Sequence, residues 1–176
     1  MTDSELQQKR LIAAAIDVAI AIAIGIAFAI ATFAVGMVVS RGSGMAGGLV
    51  FRVLGFLSAV VSLGYMLGRD ILAGDRSIGK KVQNIRVVTT GGGSIGLMDS
   101  VNRNLIFGIG GILSLLSATL GLLPCLGDAV RCLLTPLLLL GYLVGLVVAI
   151  VEVVKVIQDP AGIRFGDQFA GTRVVR

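Results

Sequence analysis

Histidine is absent from this chain, which removes the usual general base, the usual proton shuttle and the commonest metal ligand. No nucleophile and base stand at a credible spacing either, so the sequence argues against an enzyme and calls for no cofactor. Charge is scarce: 14% of the residues are charged, against roughly 25% in a typical soluble domain. A water-exposed surface cannot be built from so few. Cysteine is limited to Cys125 and Cys132, which flank a short connection. They read either as small apolar filler or, in an oxidising compartment, as a disulfide. The net charge of +5 does not point to nucleic acid, because the basic residues cluster beside apolar runs and lack interleaved aromatics. Anionic lipid headgroups are the simpler partner.

What the chain has in abundance is hydrocarbon: 56% of its 176 residues are hydrophobic. They fall in runs near the ~20 residues needed to cross about 30 Å of bilayer core as a helix. Segment one runs from Leu11 to Val39 with a single charge, Asp17. Between Ala19 and Ala31 small residues alternate with Ile and Phe, a period that normally argues for a strand. A strand is excluded by the length of the run, the lack of turn residues and the absence of following barrel strands. A signal peptide is disfavoured because its apolar core is shorter, about 7–15 residues. Segment two covers about Leu49 to Gly68, after a Gly/Ser-rich turn from Arg41 to Gly48. Segment three covers about Leu105 to Leu123, ending at Pro124. Segment four covers about Leu133 to Ile157, with Pro136 in its first turn, where a missing N–H is tolerated.

The expected fold class is therefore all-α, a polytopic membrane bundle of about four transmembrane helices in one domain, with a short strand and amphipathic-helix insertion. Lys and Arg concentrate at the N-terminus, in the 69–104 connection and in the 158–176 tail, leaving Arg41, Arg52 and Arg131 on the other face. The positive-inside rule then puts both termini in the cytoplasm of a cell-membrane protein. Within the connection, Val82 to Thr90 is rich in β-branched residues and precedes Gly91-Gly92-Gly93, so a short strand and turn are expected. Leu97 to Leu105 has the pattern of a short amphipathic helix lying in the headgroup layer.

Gly74-Asp75-Arg76-Ser77-Ile78-Gly79-Lys80-Lys81 nearly spells a phosphate-binding loop, but Lys81 replaces the hydroxyl that would hold Mg²⁺ and an apolar helix precedes it. Gly64-x-x-x-Gly68 and Gly141-x-x-x-Gly145 suggest close helix packing. Asp17 is more informative. It lies about 9 Å beyond Leu11 at helical rise, where a carboxylate must be paired, hydrated or protonated. Arg10 shares its helix face but sits about 10 Å away, too far to neutralise it. Glu152 falls at a similar depth in segment four, and Arg69, Arg103 and Lys155 lie at the same end. Two readings stay open. Asp17 and Glu152 are salt-bridged to those cations and lock the helices together, or they form an oxygen-rich site for a hard cation or a proton. Arg52 is expected to snorkel or to pair with Asp128.

Several landmarks resemble the RDD family of bacterial membrane proteins, named for an arginine and two aspartates. Lys9-Arg10-Leu11-Ile12-Ala13-Ala14-Ala15-Ile16-Asp17 looks like its first helix. Gly64-Tyr65, Arg69-Asp70, Arg76-Ser77-Ile78-Gly79-Lys80-Lys81 and Arg86-Val87-Val88 resemble its basic central segment. Arg103-Asn104 and the closing stretch from Gly166-Asp167 to Val174-Val175 resemble its later landmarks. Asp70 and Asp167 both stand as candidates for the second aspartate, and Gln168 occupies a place where a basic residue is expected. The resemblance implies a function largely unknown, proposed to be transport of undefined ligands, with some members linked to sodium/proton antiport.

The leading expectation is a small, oligomeric transporter handling Na⁺ or H⁺ through Asp17 with help from Glu152. Arg10, Arg69, Asp70, Arg103 and Asp167 complete the ion-binding or structural cluster, and Arg76, Lys80, Lys81 and Arg86 face anionic lipid. The rival expectation is a structural or interaction protein whose basic segments bind a partner protein or anionic lipid.

Overall fold

The computed structural model describes residues 3–39, 44–123, 127–159 and 163–175, with backbone alone at 3, 44–46 and 127–131. In chain order the elements are α1 (Asp3–Val39), α2 (Gly44–Gly68), a 3₁₀ turn (Arg69–Ile71), α3 (Ile78–Val82), β1 (Arg86–Thr89), α4 (Leu97–Leu120), α5 (Gly127–Gln158), α6 (Phe165–Phe169) and β2 (Thr172–Val175). The four long helices each contain a stretch apolar and long enough to cross a membrane. In hydrocarbon a backbone must satisfy its own N–H and C=O groups, and a helix does so within one segment.

The bundle is inverted relative to a water-soluble one. Arg10, Asp17, Asp70, Arg103, Asn104, Glu152 and Asp167 are buried, while Ile30, Phe33, Val38, Leu133 and Leu139 face outward. Such a distribution is stable only where the outer medium is lipid. α1 packs on α2, α2 on α4 and α4 on α5, whereas α1 and α5 barely meet. Close packing is concentrated on α4. A side chain at Gly108 or Gly111 would run into Leu63 or Leu67 of α2, and one at Gly110 into Tyr142 of α5. Of the two expected Gly-x-x-x-Gly pairs, Gly141 does sit against Leu113 and Gly110, but Gly64 and Gly145 face open space.

Three boundaries differ from the sequence reading. Leu97 to Leu105 is not a separate headgroup helix but the opening turns of α4, capped by Asp99, whose carboxylate accepts the Gly96 N–H at 2.8 Å. Those turns are polar because they pack inward against the charged residues described below. Pro136 lies well inside α5, which begins at Gly127, so the Cys132 carbonyl loses its helical donor. The expected strand is shorter, Arg86–Thr89, and its partner is the C-terminal tail: β1 pairs antiparallel with β2, Val87 opposite Val174 and Thr89 opposite Thr172. Cys125, Arg41 and the side chains of Asp128 and Arg131 lie outside the described residues, while Cys132 is exposed on α5.

The small elements gather at one end of the bundle. Ile85 and Val174 of the sheet region pack with Ala13 of α1, and Gln7 Nε2 donates to the Asp159 carbonyl at 3.0 Å. The connection and the tail thus form a single cap over the ends of α1, α2, α4 and α5.

Candidate functional site

The cap brings two carboxylates of the long helices against two short helix N-termini. Asp17, 2% exposed, accepts the Ser77 hydroxyl at 2.5 Å on Oδ2 and the Gly79 N–H at 2.9 Å on Oδ1. Ser77 is the N-cap of α3 and also accepts the Lys80 N–H at 3.3 Å. The first N–H groups of a helix lack internal partners and favour a negative charge, so the near-match to a phosphate loop cradles the protein's own aspartate. Gly79 is required there, because a Cβ would run into the Ala13 carbonyl oxygen of α1.

Glu152 is treated the same way by α6. Its Oε1 accepts the Gly166 N–H at 3.1 Å. A Cβ on Gly166 would meet the Arg103 carbonyl. The second carboxylate oxygen, Oε2, is buried and has no hydrogen-bond partner among the described residues.

The expected pairing of Asp17 and Glu152 with Arg103, Arg69 or Lys155 is not found among the described residues. Arg103, 1% exposed, bridges the other two aspartates instead: its Nε lies 3.2 Å from Asp70 Oδ2 and its Nη2 lies 2.8 Å from Asp167 Oδ1. Asp70, on the turn after α2, also accepts the Lys80 ammonium and the Asn104 amide at 3.0 Å. Asp167, on α6, accepts Arg10 at 2.6 Å and Arg164 at 3.4 Å. One continuous network thus ties α1, α2, α3, α4 and the tail, and Asp70 and Asp167 hold equivalent places around Arg103. Arg69 donates to Asn104 Oδ1 at 2.8 Å. Lys155 donates to Gln168 Oε1 at 3.1 Å and lies over the Phe165 ring. A basic residue at 168 would repel Lys155, which accounts for the glutamine.

Burial alone would raise the Asp167 carboxyl, but Arg164, Arg103 and Arg10 outweigh it and hold it down at about 2. Burial, reinforced by Arg103, pushes the Lys80 ammonium down against the pull of Asp70. Lys80 therefore departs from the expected lipid contacts: it is 8% exposed and points into the network. Lys81 and Arg86 remain exposed, and Arg76 is half-buried with its Nε donating to the Gly74 carbonyl at 3.3 Å. Arg52 donates to the Leu123 carbonyl at 3.3 Å, and the Asp128 side chain is outside the described residues.

Ser77, Gly79, Asn104, Arg164 and Gly166 complete the site without having been chosen from the sequence. Ser77 carried a usable signal as a helix N-cap ahead of Ile-Gly-Lys-Lys. Asn104 and Gly166 stood only as family landmarks beside Arg103 and Asp167, with no role of their own.

Beneath the cap, between the helices, lies a cavity of about 630 Å³. Asp17 and Glu152 both line it, as do Arg10, Arg69, Lys80, Arg103 and Arg164. Polar groups buried at one end and hydrocarbon outside define a polytopic α-helical membrane protein with an ionised core. The chain belongs to the RDD family, whose family model matches residues 7–171, nearly its whole length. Comparison with curated proteins and with solved structures gave no match.

Proposed function

We propose that this protein is a transporter of the cell membrane rather than an enzyme, moving a small solute with a proton exchanged at Glu152 and Asp17. The observation that carries this reading is Glu152, whose buried Oε2 has no hydrogen-bond partner among the described residues and which lines the same cavity as Asp17. One oxygen of this carboxylate is satisfied by the Gly166 N–H and the other is not; a buried acceptor left unsatisfied costs about 1–3 kcal/mol, and a proton taken up there relieves that cost. The proton suits the site better than Na⁺, because the cationic side chains lining the cavity repel a metal cation, whereas a proton neutralises Glu152 in place. The distribution of Lys and Arg supports a cytoplasmic position for the cap and both termini. In proteoliposomes holding a pH-sensitive dye, an imposed pH gradient is expected to dissipate faster than in empty vesicles, with Glu152→Gln abolishing the difference and Arg86→Gln preserving it. Wild-type flux in both Glu152→Gln and Asp17→Asn, each correctly inserted, would refute the proposal.

The reading as an interaction protein draws on Lys81 and Arg86, which face outward beside the sheet. It requires that Lys81→Gln/Arg86→Gln lose binding to anionic liposomes or to a partner while no proton flux is detectable in the wild type.

A further inference from the structure

The cavity beneath the cap has a floor and a mouth of opposite chemistry. Ala14 and Ala21 of α1 face Gly141, Gly145 and Ala149 of α5 across it. These small side chains leave a slot of about 630 Å³, within the ~300–1,000 Å³ of small-molecule sites. Val18 and Ile22 of α1 and Leu146 and Val153 of α5 line the same slot, yet they are 52, 57, 58 and 43% exposed. They form an apolar rim on the side where α1 and α5 barely meet. All of them belong to apolar stretches able to span a membrane, so this mouth opens into lipid rather than water.

The floor is predominantly cationic: Arg10, Arg69, Lys80, Arg103 and Arg164 line it together with the carboxylates of Asp17 and Glu152. Arg69 and Arg164 both line the cavity, and each has a buried Nε with no hydrogen-bond partner among the described residues. Arg164 shares Asp167 with Arg10 and Arg103, while Arg69 donates to the neutral Asn104 oxygen, with Asp70 and Asp17 acting on it through space. Guanidinium groups with donors left over beneath an apolar slot suit a carboxylate or phosphate head carrying a hydrocarbon chain.

We propose that the slot takes an acidic amphiphile laterally from the bilayer, its anionic head held by Arg69 and Arg164 and its acyl chain lying between α1 and α5. The role of this ligand as the transported solute rests on the transport reading above; its binding does not.

The test uses the full chain in nanodiscs of neutral lipid, titrated with stearic acid bearing a nitroxide on its chain and followed by electron paramagnetic resonance. A saturable immobilised component is expected, displaced by unlabelled oleic acid and absent with a spin-labelled alkylamine of equal length. Arg69→Gln/Arg164→Gln is expected to weaken binding by about a hundredfold or more, the loss of roughly two charge-assisted hydrogen bonds. Because Arg69 also contacts Asn104 and Arg164 also pairs with Asp167, a second variant is needed that leaves the polar residues alone. A Cβ at Gly145 meets nothing within 4 Å, so Gly145→Phe fills the slot in a folded protein and should abolish immobilisation. Equal immobilisation of acid and amine, unaltered binding in Gly145→Phe, or a dimer whose second copy occupies the slot would each overturn the proposal. Proton flux intact with no acid bound removes this inference alone. Acid bound normally with no proton flux removes the transport reading alone.

Discussion

Asp167→Asn tests whether the ionised network holds the cap onto the bundle. Asp167 is fully buried and accepts Arg10 at 2.6 Å, Arg103 at 2.8 Å, the Arg164 guanidinium at 3.4 Å and the Arg164 N–H at 3.3 Å. Asparagine keeps one acceptor oxygen and turns an NH₂ donor toward a guanidinium that is itself a donor. Three arginines then lose their shared countercharge. Breaking a buried ion pair by removing one partner costs about 3–5 kcal/mol, which at ~2–4 °C per kcal/mol for a chain of this length lowers Tm by about 6–20 °C. The natural comparison is Asp99→Asn, which keeps an acceptor for the Gly96 N–H at the exposed start of α4 and is expected to cost well under about 1 kcal/mol. Tryptophan is absent and Cys132 is exposed, so neither intrinsic tryptophan fluorescence nor a thiol-reactive dye reports unfolding cleanly. Size-exclusion profiles of detergent-purified protein after heating avoid both problems. The pH dependence gives an independent readout. The folded Asp167 carboxyl lies at about 2, below its ordinary 3.8, so its stabilisation is present above pH 3.8 and is lost as pH falls toward 2. That amounts to about 2 kcal/mol, and the acid-induced loss should be smaller in Asp167→Asn. If Asp167→Asn melts within a degree or two of Asp99→Asn, the network contributes nothing and the account of the cap is wrong.

Gly79→Ala is expected to destabilise by about 2 kcal/mol or more, because the new methyl meets a backbone carbonyl that cannot move aside. Gly145→Ala, in open space, should gain up to about 1 kcal/mol from helix propensity, and equal melting of the two variants would contradict the packing described. Asp17→Arg should not be rescued by Arg103→Asp, since Asp17 binds Ser77 and Gly79 while Arg103 binds Asp70 and Asp167. Recovery of folding in that double variant, measured by the same heating assay, would restore the direct pair. A cysteine placed at the exposed Thr90 in a Cys125→Ser/Cys132→Ser background should react with an impermeant maleimide in inside-out vesicles and not in intact cells. Labelling in intact cells would reverse the orientation proposed from the distribution of Lys and Arg.

The four membrane helices were legible from Leu11 to Ile157 because hydrocarbon leaves a backbone no alternative, and a run of apolar residues states that constraint locally. Asp17 and Glu152 were legible for the same reason: a carboxylate in such a run announces itself by its cost. Their partners were not, since charge type suggests which groups attract but not which can touch. One of the two readings open from the sequence paired the intramembrane acids with the cations at the same end; the fold instead set each acid on a helix N-terminus and gave Arg103 to Asp70 and Asp167.

That exchange depends on distance between elements far apart in the chain. Gly79 reaches Asp17 and Gly166 reaches Glu152 only because the 69–104 connection and the tail pair as β1 and β2 and settle over α1. The strand pairing, the inward turn of Lys80 and the slot between α1 and α5 are likewise products of long-range contacts. Local composition decided the solvent of each segment, because transfer between water and oil acts on every side chain separately. The tertiary structure decided the ionic partners, because an ion pair or hydrogen bond exists only where two elements converge within a few ångströms.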